Sequence, residues 1–265
     1  MNIKSVYEFA WLATQQVVVT SDKEAQDIKG FGSGFFFQYK ERLFFVTADH
    51  VSHPNDYNEG LRLEREDYVW VFNNKNVSAE LATILTPVEG IYSFDLYDLR
   101  NKLSVIIPDM VDVCFSILPN SFSFPFLTHE LSANDIVVVP AGIEKIIIKE
   151  ECVTRLACDD YCLVEGCVQW DVNDTIRLHR KNAIHQDLTL DSIDSNGNYK
   201  LKYPNRVVYG DWAGLSGAPV FNDKSRLVGM IIEINEVEGT ILVVPMEKIM
   251  KFMDFALKYE ESLSN

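Results

Sequence analysis

Residues 211–221, DWAGLSGAPVF, place Ser216 between two glycines directly before an apolar segment. Such a bend is either a tight turn and nothing more, or a turn that presents the serine as a nucleophile. In the second case the glycines leave backbone amides exposed, and these amides can bind an anion. A serine hydroxyl is a poor nucleophile at neutral pH, so this interpretation requires a base and an acid elsewhere in the chain.

Five histidines are available as the base, and all of them precede Ser216. The order serine, acid, histidine of α/β-hydrolases is therefore impossible, whereas the order histidine, acid, serine remains open. His50 directly follows the apolar segment RLFFVTA, and the end of a strand is a rigid support for a base. Taken alone, His50 is equally well explained as a structural histidine. His53 follows three residues later, which is a weak sign of metal binding.

Asp112 is the best candidate for the acid, because it opens the apolar segment DVCFSIL. A carboxylate at the edge of a buried strand costs free energy unless it has hydrogen-bond partners, and the imidazole of His50 would be one. Three rival acids lie in more polar surroundings, which are typical of solvated loops: Asp95, Asp98 and Asp109.

Strand patterns dominate the chain and fall into two groups. The first group runs from QQVVVT to DVCFSIL, and the second from DIVVVPAG to GTILVVP. We predict an all-β chain of two barrels or sandwiches, with the first unit in 1–120, a linker in 121–134 and the second unit in 135–265. Helical spacing predicts a short helix near the N-terminus and another helix after Pro245.

Composition argues against several classes of function. The chain has 265 residues and a formal net charge of -15, so it repels a phosphate backbone and we expect no nucleic-acid partner. No apolar run approaches the length of a membrane span, and the N-terminal residues lack the pattern of a signal peptide. Basic or unfolded polypeptides are compatible partners.

The five cysteines favour reduced thiols and a cytoplasmic location, because their number is odd and no secretory signal precedes them. Four of them lie in ECVTRLACDDYCLVEGC, whose spacing does not match the C-x-x-C pairs of a zinc site. We interpret them as small apolar residues of strands. The sequence predicts no metal site and no cofactor.

Three blocks together resemble the active-site blocks of trypsin/chymotrypsin-like serine proteases, in particular their disulfide-free bacterial branch. The blocks are GSGFFFQYKERLFFVTADHV, DVCFSIL and GLSGAPVFNDKSRLVGM, and they follow the order of the family. The resemblance implies two β-barrels of the chymotrypsin type. It also implies that Ser216 attacks the scissile carbonyl, that His50 transfers the proton and that Asp112 orients the imidazole.

The same resemblance implies an oxyanion hole and a substrate-binding segment. The amides of Gly214 and Ser216 would bind the oxyanion, and the substrate backbone would pair with the edge of GMIIEI at 229–234. The acids near the implied pocket favour basic side chains in the substrate. The implied substrate-binding residues are Gly210, Asp211, Ile232, Glu233 and Ile234.

Three residues depart from the pattern of the family without removing a triad group. Asp49 stands where the family usually has a small or neutral residue, and Ala218 stands where it usually has glycine. Leu215 replaces the usual acidic or polar residue before the serine. Because Leu215 cannot pair with an ammonium group, we expect no activation switch like that of the digestive relatives.

We therefore predict a serine endopeptidase that cleaves polypeptides through an acyl-enzyme. A catalytically silent peptide-binding module on the same fold is the alternative, since a collapsed oxyanion loop leaves no trace in a sequence. An esterase-like hydrolase is a further alternative, which the order histidine, aspartate, serine disfavours. The sequence does not predict the oligomeric state.

Overall fold

The computed structural model describes residues 5–59, 67–73, 84–96, 109–119, 121–122, 131–133, 136–139, 145–172 and 178–263. The elements of the first half are α1 (Val6–Ala13), β1 (Thr14–Thr20), β2 (Ile28–Tyr39), β3 (Arg42–Thr47), α2 (Asp49–Ser52), α3 (Pro54–Glu59), β4 (Tyr68–Asn73), β5 (Ile84–Val88), β6 (Ile91–Leu96) and β7 (Asp109–Leu118).

The second half contains mostly strands as well. Its elements are β8 (Leu131–Ala133), β9 (Ile136–Val139), β10 (Ile148–Lys149), a 3-10 turn (Glu150–Cys152), β11 (Tyr161–Val172), β12 (Leu178–Ile193), β13 (Tyr199–Lys202), α4 (Tyr209–Trp212), β14 (Pro219–Asn222), β15 (Leu227–Asn235), β16 (Thr240–Pro245) and α5 (Met246–Leu263).

The first unit is an eight-stranded sheet that forms a half-barrel. Its strands follow the order β5-β4-β1-β2-β3-β7-β6, and β10 adds in parallel to β2. The strands β2 and β3 carry apolar residues at consecutive positions, which indicates burial on both faces. Five phenylalanines of these strands are buried accordingly: Phe35, Phe36, Phe37, Phe44 and Phe45.

The second unit is a closed antiparallel barrel with the strand order β11-β12-β13-β16-β15-β14. Its interior is filled by aliphatic side chains that alternate along the strands, among them Val164, Leu201, Val220, Ile231 and Val243. A half-barrel followed by a closed barrel confirms the predicted all-β class and the double-barrel architecture of the chymotrypsin type.

Both predicted helices are confirmed, and each packs on the body of the protein. Ser5 caps α1 by accepting a hydrogen bond from the amide of Glu8 at 3.2 Å. Phe9 of α1 packs edge-to-face on Phe221 of the second barrel, with ring centroids 5.0 Å apart. The helix α5 begins directly after Pro245 and belongs to the core that contains the half-barrel.

The boundaries of the predicted linker stay a prediction. The strand β8 lies within 121–134 and pairs with β9, while β10, which follows the linker, joins the first sheet. One core also extends from the half-barrel to Phe221, Leu227 and Met230 of the second barrel. Within the described residues, no helix has the length and apolar character needed to cross a membrane.

The cysteines match their interpretation in part. All five are free, and Cys114, Cys162 and Cys167 are buried on strands, although the sulfurs of Cys114 and Cys167 also form hydrogen bonds with polar side chains. Cys152 lies in the 3-10 turn and Cys158 lies in an exposed loop, so neither is a strand residue.

Candidate active site

The pairing of β3 with β7 brings the predicted base to the predicted acid. Thr47, the last residue of β3, is paired with Cys114 of β7. Because side chains alternate along a strand, Asp112 and Cys114 lie on the same face of β7. The sulfur of Cys114 lies 3.1 Å from the hydroxyl of Ser52 in α2, and the carboxylate of Asp112 reaches His50 in the same helix.

Asp112 binds His50 through both of its carboxylate oxygens. The imidazole Nδ1 lies 2.8 Å from Oδ2 and 3.0 Å from Oδ1, and the backbone amide of His50 donates to Oδ1 at 3.0 Å. A carboxylate only accepts hydrogen bonds, so Nδ1 carries the proton. The Nε2 atom is then left with a lone pair, which is the tautomer that a general base needs.

The pKa of His50 is raised above its ordinary value of 6.5. Burial by itself lowers this pKa, because it disfavours the charged imidazolium. The hydrogen bond and charge of Asp112, followed by the charges of Asp49 and Glu233, outweigh the burial. The carboxylates around His50 therefore stabilise the imidazolium that forms when it accepts a proton.

Ser216 lies in the turn that connects α4 to β14. Gly214 and Gly217 adopt positive φ angles of 110° and 88°, which favour glycine over residues with a side chain. A Cβ atom on Gly217 would lie only 2.0 Å from the carbonyl oxygen of Ser33, so no side chain fits there. The glycines of the DWAGLSGAPVF stretch are therefore required by the conformation of the turn.

Two amides of this turn have no acceptor among the described residues, namely those of Gly214 and Ser216. The amides of the alternate residues Leu215 and Gly217 donate to backbone carbonyls, each at 2.9 Å. An unpaired amide in a concave surface is costly unless a ligand or water accepts from it. The two amides that the sequence assigned to an oxyanion hole are the ones available to bind an anion.

All three predicted triad residues line one cleft of about 730 Å³. Of the implied substrate-binding residues, Ile232, Glu233 and Ile234 of β15 also line it. The remaining lining residues are Gly30, Phe31, Val51, Pro54, Tyr209, Trp212, Ala213, Gly214 and Ile231.

Gly210 and Asp211, the other implied substrate-binding residues, do not line this cleft. They lie in α4, and a helical turn places residues three apart on one face. Tyr209 and Trp212 therefore form the wall of the cleft, while Gly210 and Asp211 between them are exposed on the other side. The sequence pointed to the segment that forms α4, but it did not show which side chains of α4 face the cleft.

Sequence reasoning missed an aromatic support behind this wall. The rings of His185 and Trp212 stack with centroids 3.7 Å apart and planes at 11°. The Nε2 of His185 donates to the carbonyl of Asp211 at 2.8 Å, and Nδ1 lies 3.2 Å from the hydroxyl of Tyr203. Burial lowers the pKa of His185, so the neutral ring is favoured. His185 lies in the stretch NAIHQD, and no local pattern in it indicated this contact.

The predicted rival acids of Asp112 fall on strands or outside the described residues. Asp95 and Asp109 lie on the paired strands β6 and β7 and not in loops, because the pairing extends further than the apolar pattern. Asp98 lies outside the described residues, as does His129.

Asp49, beside His50, belongs to a separate polar cluster. Its carboxylate is fully buried and lies 2.8 Å from Nδ1 of His53, and it accepts from the hydroxyl of Ser93 at 2.7 Å. Asp56 completes a group whose possible ligand atoms lie within 4.8 Å of one another. The bonds from His53 and Ser93 both reach Oδ1 of Asp49 and stabilise its buried carboxylate.

Comparison with solved structures shows a similar fold in a serine endoprotease from Yersinia pestis. The TM-score is 0.51 at 12% sequence identity, and the match covers 97% of this chain and 67% of that chain. At so low an identity the likeness concerns the fold alone. No protein-family model matches the chain, and no curated protein matches its sequence.

Proposed function

We propose that this protein is a serine endopeptidase in which Ser216 is the nucleophile, His50 the general base and Asp112 the residue that orients the base. One observation carries the proposal. A histidine whose Nδ1 is fixed by a carboxylate shares a cleft with a serine and with two amides that have no acceptor in the described chain. The fold neighbour, a serine endoprotease, is consistent with this chemistry.

The reaction follows from the positions of these groups. Nε2 of His50 accepts the hydroxyl proton while Oγ of Ser216 bonds to the carbonyl carbon, and the carbonyl oxygen becomes an anion. The amides of Gly214 and Ser216 donate to that anion. The imidazolium then protonates the leaving amine, and the C–N bond breaks to give an acyl-enzyme. Water, deprotonated by His50, hydrolyses the ester and restores the serine.

The strand β15 offers an edge for the substrate backbone. It pairs with β14 only as far as Met230, and from there to its end it has β16 on one side alone among the described strands. The open edge includes residues 232–234, which line the cleft beside Ser216. An extended polypeptide can add to this edge as an antiparallel strand, which supports an endopeptidase over an enzyme for small esters.

The walls of the cleft favour an apolar substrate side chain. Trp212, Ile231 and Ile232 are apolar and lie next to the turn of Ser216. The basic preference expected from the sequence rested on two acids, of which Glu233 faces the cleft and Asp211 does not. We therefore propose an apolar residue at the cleaved bond, which cleavage of a peptide library followed by mass spectrometry would test against a basic one.

One observation favours the alternative of a silent binding module. Within the described residues, the hydroxyl of Ser216 forms no hydrogen bond to His50. In free enzymes this bond is often long and shortens only when substrate binds, so its absence is compatible with catalysis.

Cleavage of an unfolded polypeptide decides between the two functions. The wild type and the control variant Ser192→Ala, which alters an exposed serine of β12, should cleave with equal kcat. Ser216→Ala should lose about 10⁶-fold in kcat, as removal of a triad nucleophile does, while still binding the polypeptide. A wild type that binds the polypeptide but does not cleave it would establish the silent module.

A further inference from the structure

Ser33 links the half-barrel to the turn that carries Ser216. It lies in β2 within the GFGSG segment and is fully buried. Its amide donates to the carbonyl of Ser216 at 2.9 Å, and its hydroxyl donates to the carbonyl of Gly214 at 2.8 Å. Its own carbonyl accepts from the hydroxyl of Thr47 at 2.7 Å. Every polar group of Ser33 is thus bound, and two of them hold the turn.

The two carbonyls that Ser33 binds belong to Gly214 and Ser216, whose amides face no acceptor within the described chain. Each peptide group is planar, so a carbonyl held in place limits the rotation of the backbone on both sides of it. Gly214 has no side chain and a φ of 110°, which makes it the least restrained residue of the turn. The hydroxyl of Ser33 supplies the restraint that the glycine lacks.

Ser33 packs so closely against Gly217 and Gly166 that neither glycine has room for a side chain. A Cβ on Gly217 would lie 2.0 Å from the carbonyl oxygen of Ser33. A Cβ on Gly166 of β11 would lie 2.9 Å from the hydroxyl of Ser33 and 2.7 Å from the side chain of Leu215. Two glycines of the second barrel therefore permit the close approach of Ser33 to the turn.

We propose that Ser33 is a positioning residue, whose hydroxyl holds Gly214 so that the amides of the turn point to one oxyanion. The proposal rests on the proposed function and assigns to the half-barrel a part in the oxyanion hole. It accounts for a serine in GSG at a fully buried position. A purely structural bond between the two barrels would contribute to folding without changing the chemical step.

The variant Ser33→Ala separates these two roles, because it removes the hydroxyl and keeps the amide that binds Ser216. We expect kcat to fall by about tenfold or more, less than the 10²- to 10³-fold that follows removal of an oxyanion donor. KM should stay unchanged, since the substrate backbone binds β15. The affinity for a peptide boronate, whose adduct places an oxygen in the oxyanion hole, should fall by the same factor as kcat.

Ser116→Ala is the matched control. Ser116 is a fully buried serine of β7, and its hydroxyl donates to the carbonyl of Glu89, away from the cleft. This variant should lower the thermal midpoint of unfolding to a similar extent and leave both kcat and boronate affinity unchanged. Equal kcat and boronate affinity in the two variants would overturn the proposed role of Ser33.

Thr47→Val covers the case in which Ser33→Ala does not fold. It removes the hydroxyl that holds the carbonyl of Ser33, and it should lower kcat and boronate affinity together by a smaller factor. If kcat in that variant stays at the wild-type value, the role of Ser33 is refuted. A wild type that neither cleaves polypeptide nor binds the boronate would instead refute the proposed function itself, so the two failures are distinguishable.

Discussion

The two halves of the site differ in how their polar groups are satisfied. In the part contributed by the half-barrel, His50 and Asp112 bind each other through three hydrogen bonds. In the part contributed by the closed barrel, the amides of Gly214 and Ser216 have no acceptor among the described residues. Unpaired donors in a cleft cost free energy unless a ligand completes them. Under the proposed function, the half-barrel would supply a base that is already oriented, and the closed barrel would supply donors that bind only the reacting substrate.

In the part contributed by the half-barrel, the largest effect on turnover is expected from Asp112→Asn. The amide group cannot accept from Nδ1 and from the His50 backbone amide as the carboxylate does, so the imidazole loses its tautomer and orientation. We expect a fall in kcat of about 10⁴-fold with little change in KM. Asp109→Asn, at the start of the same strand, should leave kcat unchanged. If kcat is lost in the Asp109 variant and kept in the Asp112 variant, the acid has been assigned wrongly.

Two glycine substitutions test the part of the site that the closed barrel contributes. Gly217→Ala places a methyl group 2.0 Å from the Ser33 carbonyl, at a residue with a φ of 88°. Turnover should be lost, with a fall in the free energy of unfolding of about 1–3 kcal/mol from the backbone strain alone.

Gly210→Ala meets nothing within 4 Å and lies outside the cleft, so stability and KM should stay at wild-type values. Chemical denaturation measures the stability of the two glycine variants, and peptide kinetics measures their kcat and KM. A raised KM in Gly210→Ala would show that Gly210 belongs to the substrate pocket.

The smallest effect concerns the charge of Glu233, which lies on the closed barrel and acts on the base of the half-barrel. The pKa of His50 is raised in part by this carboxylate. Because neutral His50 is the active form, kcat/KM rises as pH passes through this pKa, and a lower pKa moves the rise to lower pH. Glu233→Gln should therefore shift the acid limb of the profile downward.

Glu24→Gln, which removes the same charge from an exposed loop between β1 and β2, should leave the acid limb in place. Profiles of kcat/KM between pH 5 and 9 in low salt would measure both variants. An unchanged or upward-shifted limb in Glu233→Gln would show that the carboxylate does not act on His50.

Much of the fold was predictable, because its strands carry unusually clear apolar runs. GFFFQY and RLFFVTA are apolar at consecutive positions, and both form central strands of the half-barrel. The α5 helix was equally evident from the helical spacing of the apolar residues after Pro245. The short strand β8 was not predictable, since its pairing with β9 depends on contacts that three residues of sequence do not specify.

The geometry of the candidate site was less predictable than the residues proposed for it. His50, Asp112 and Ser216 were selected from local patterns and from the family resemblance, and the structure brings them to one cleft. The stack of His185 on Trp212 and the bonds of Ser33 to the turn join residues that are far apart in sequence, so no local pattern indicates them. For the same reason, the sequence did not show that the helical turn of α4 places Trp212, and not Asp211, against the cleft.

Covalent labelling with a fluorophosphonate probe, followed by peptide mapping, tests the central claim most directly. Such a probe reacts with a serine only when a base activates it and donors stabilise the oxygen on phosphorus. We expect a single adduct on Ser216 in the wild type, none in Ser216→Ala, and strongly slowed labelling in Asp112→Asn. An unlabelled wild type, or an adduct on another serine, would contradict the assignment of this chain as a serine endopeptidase.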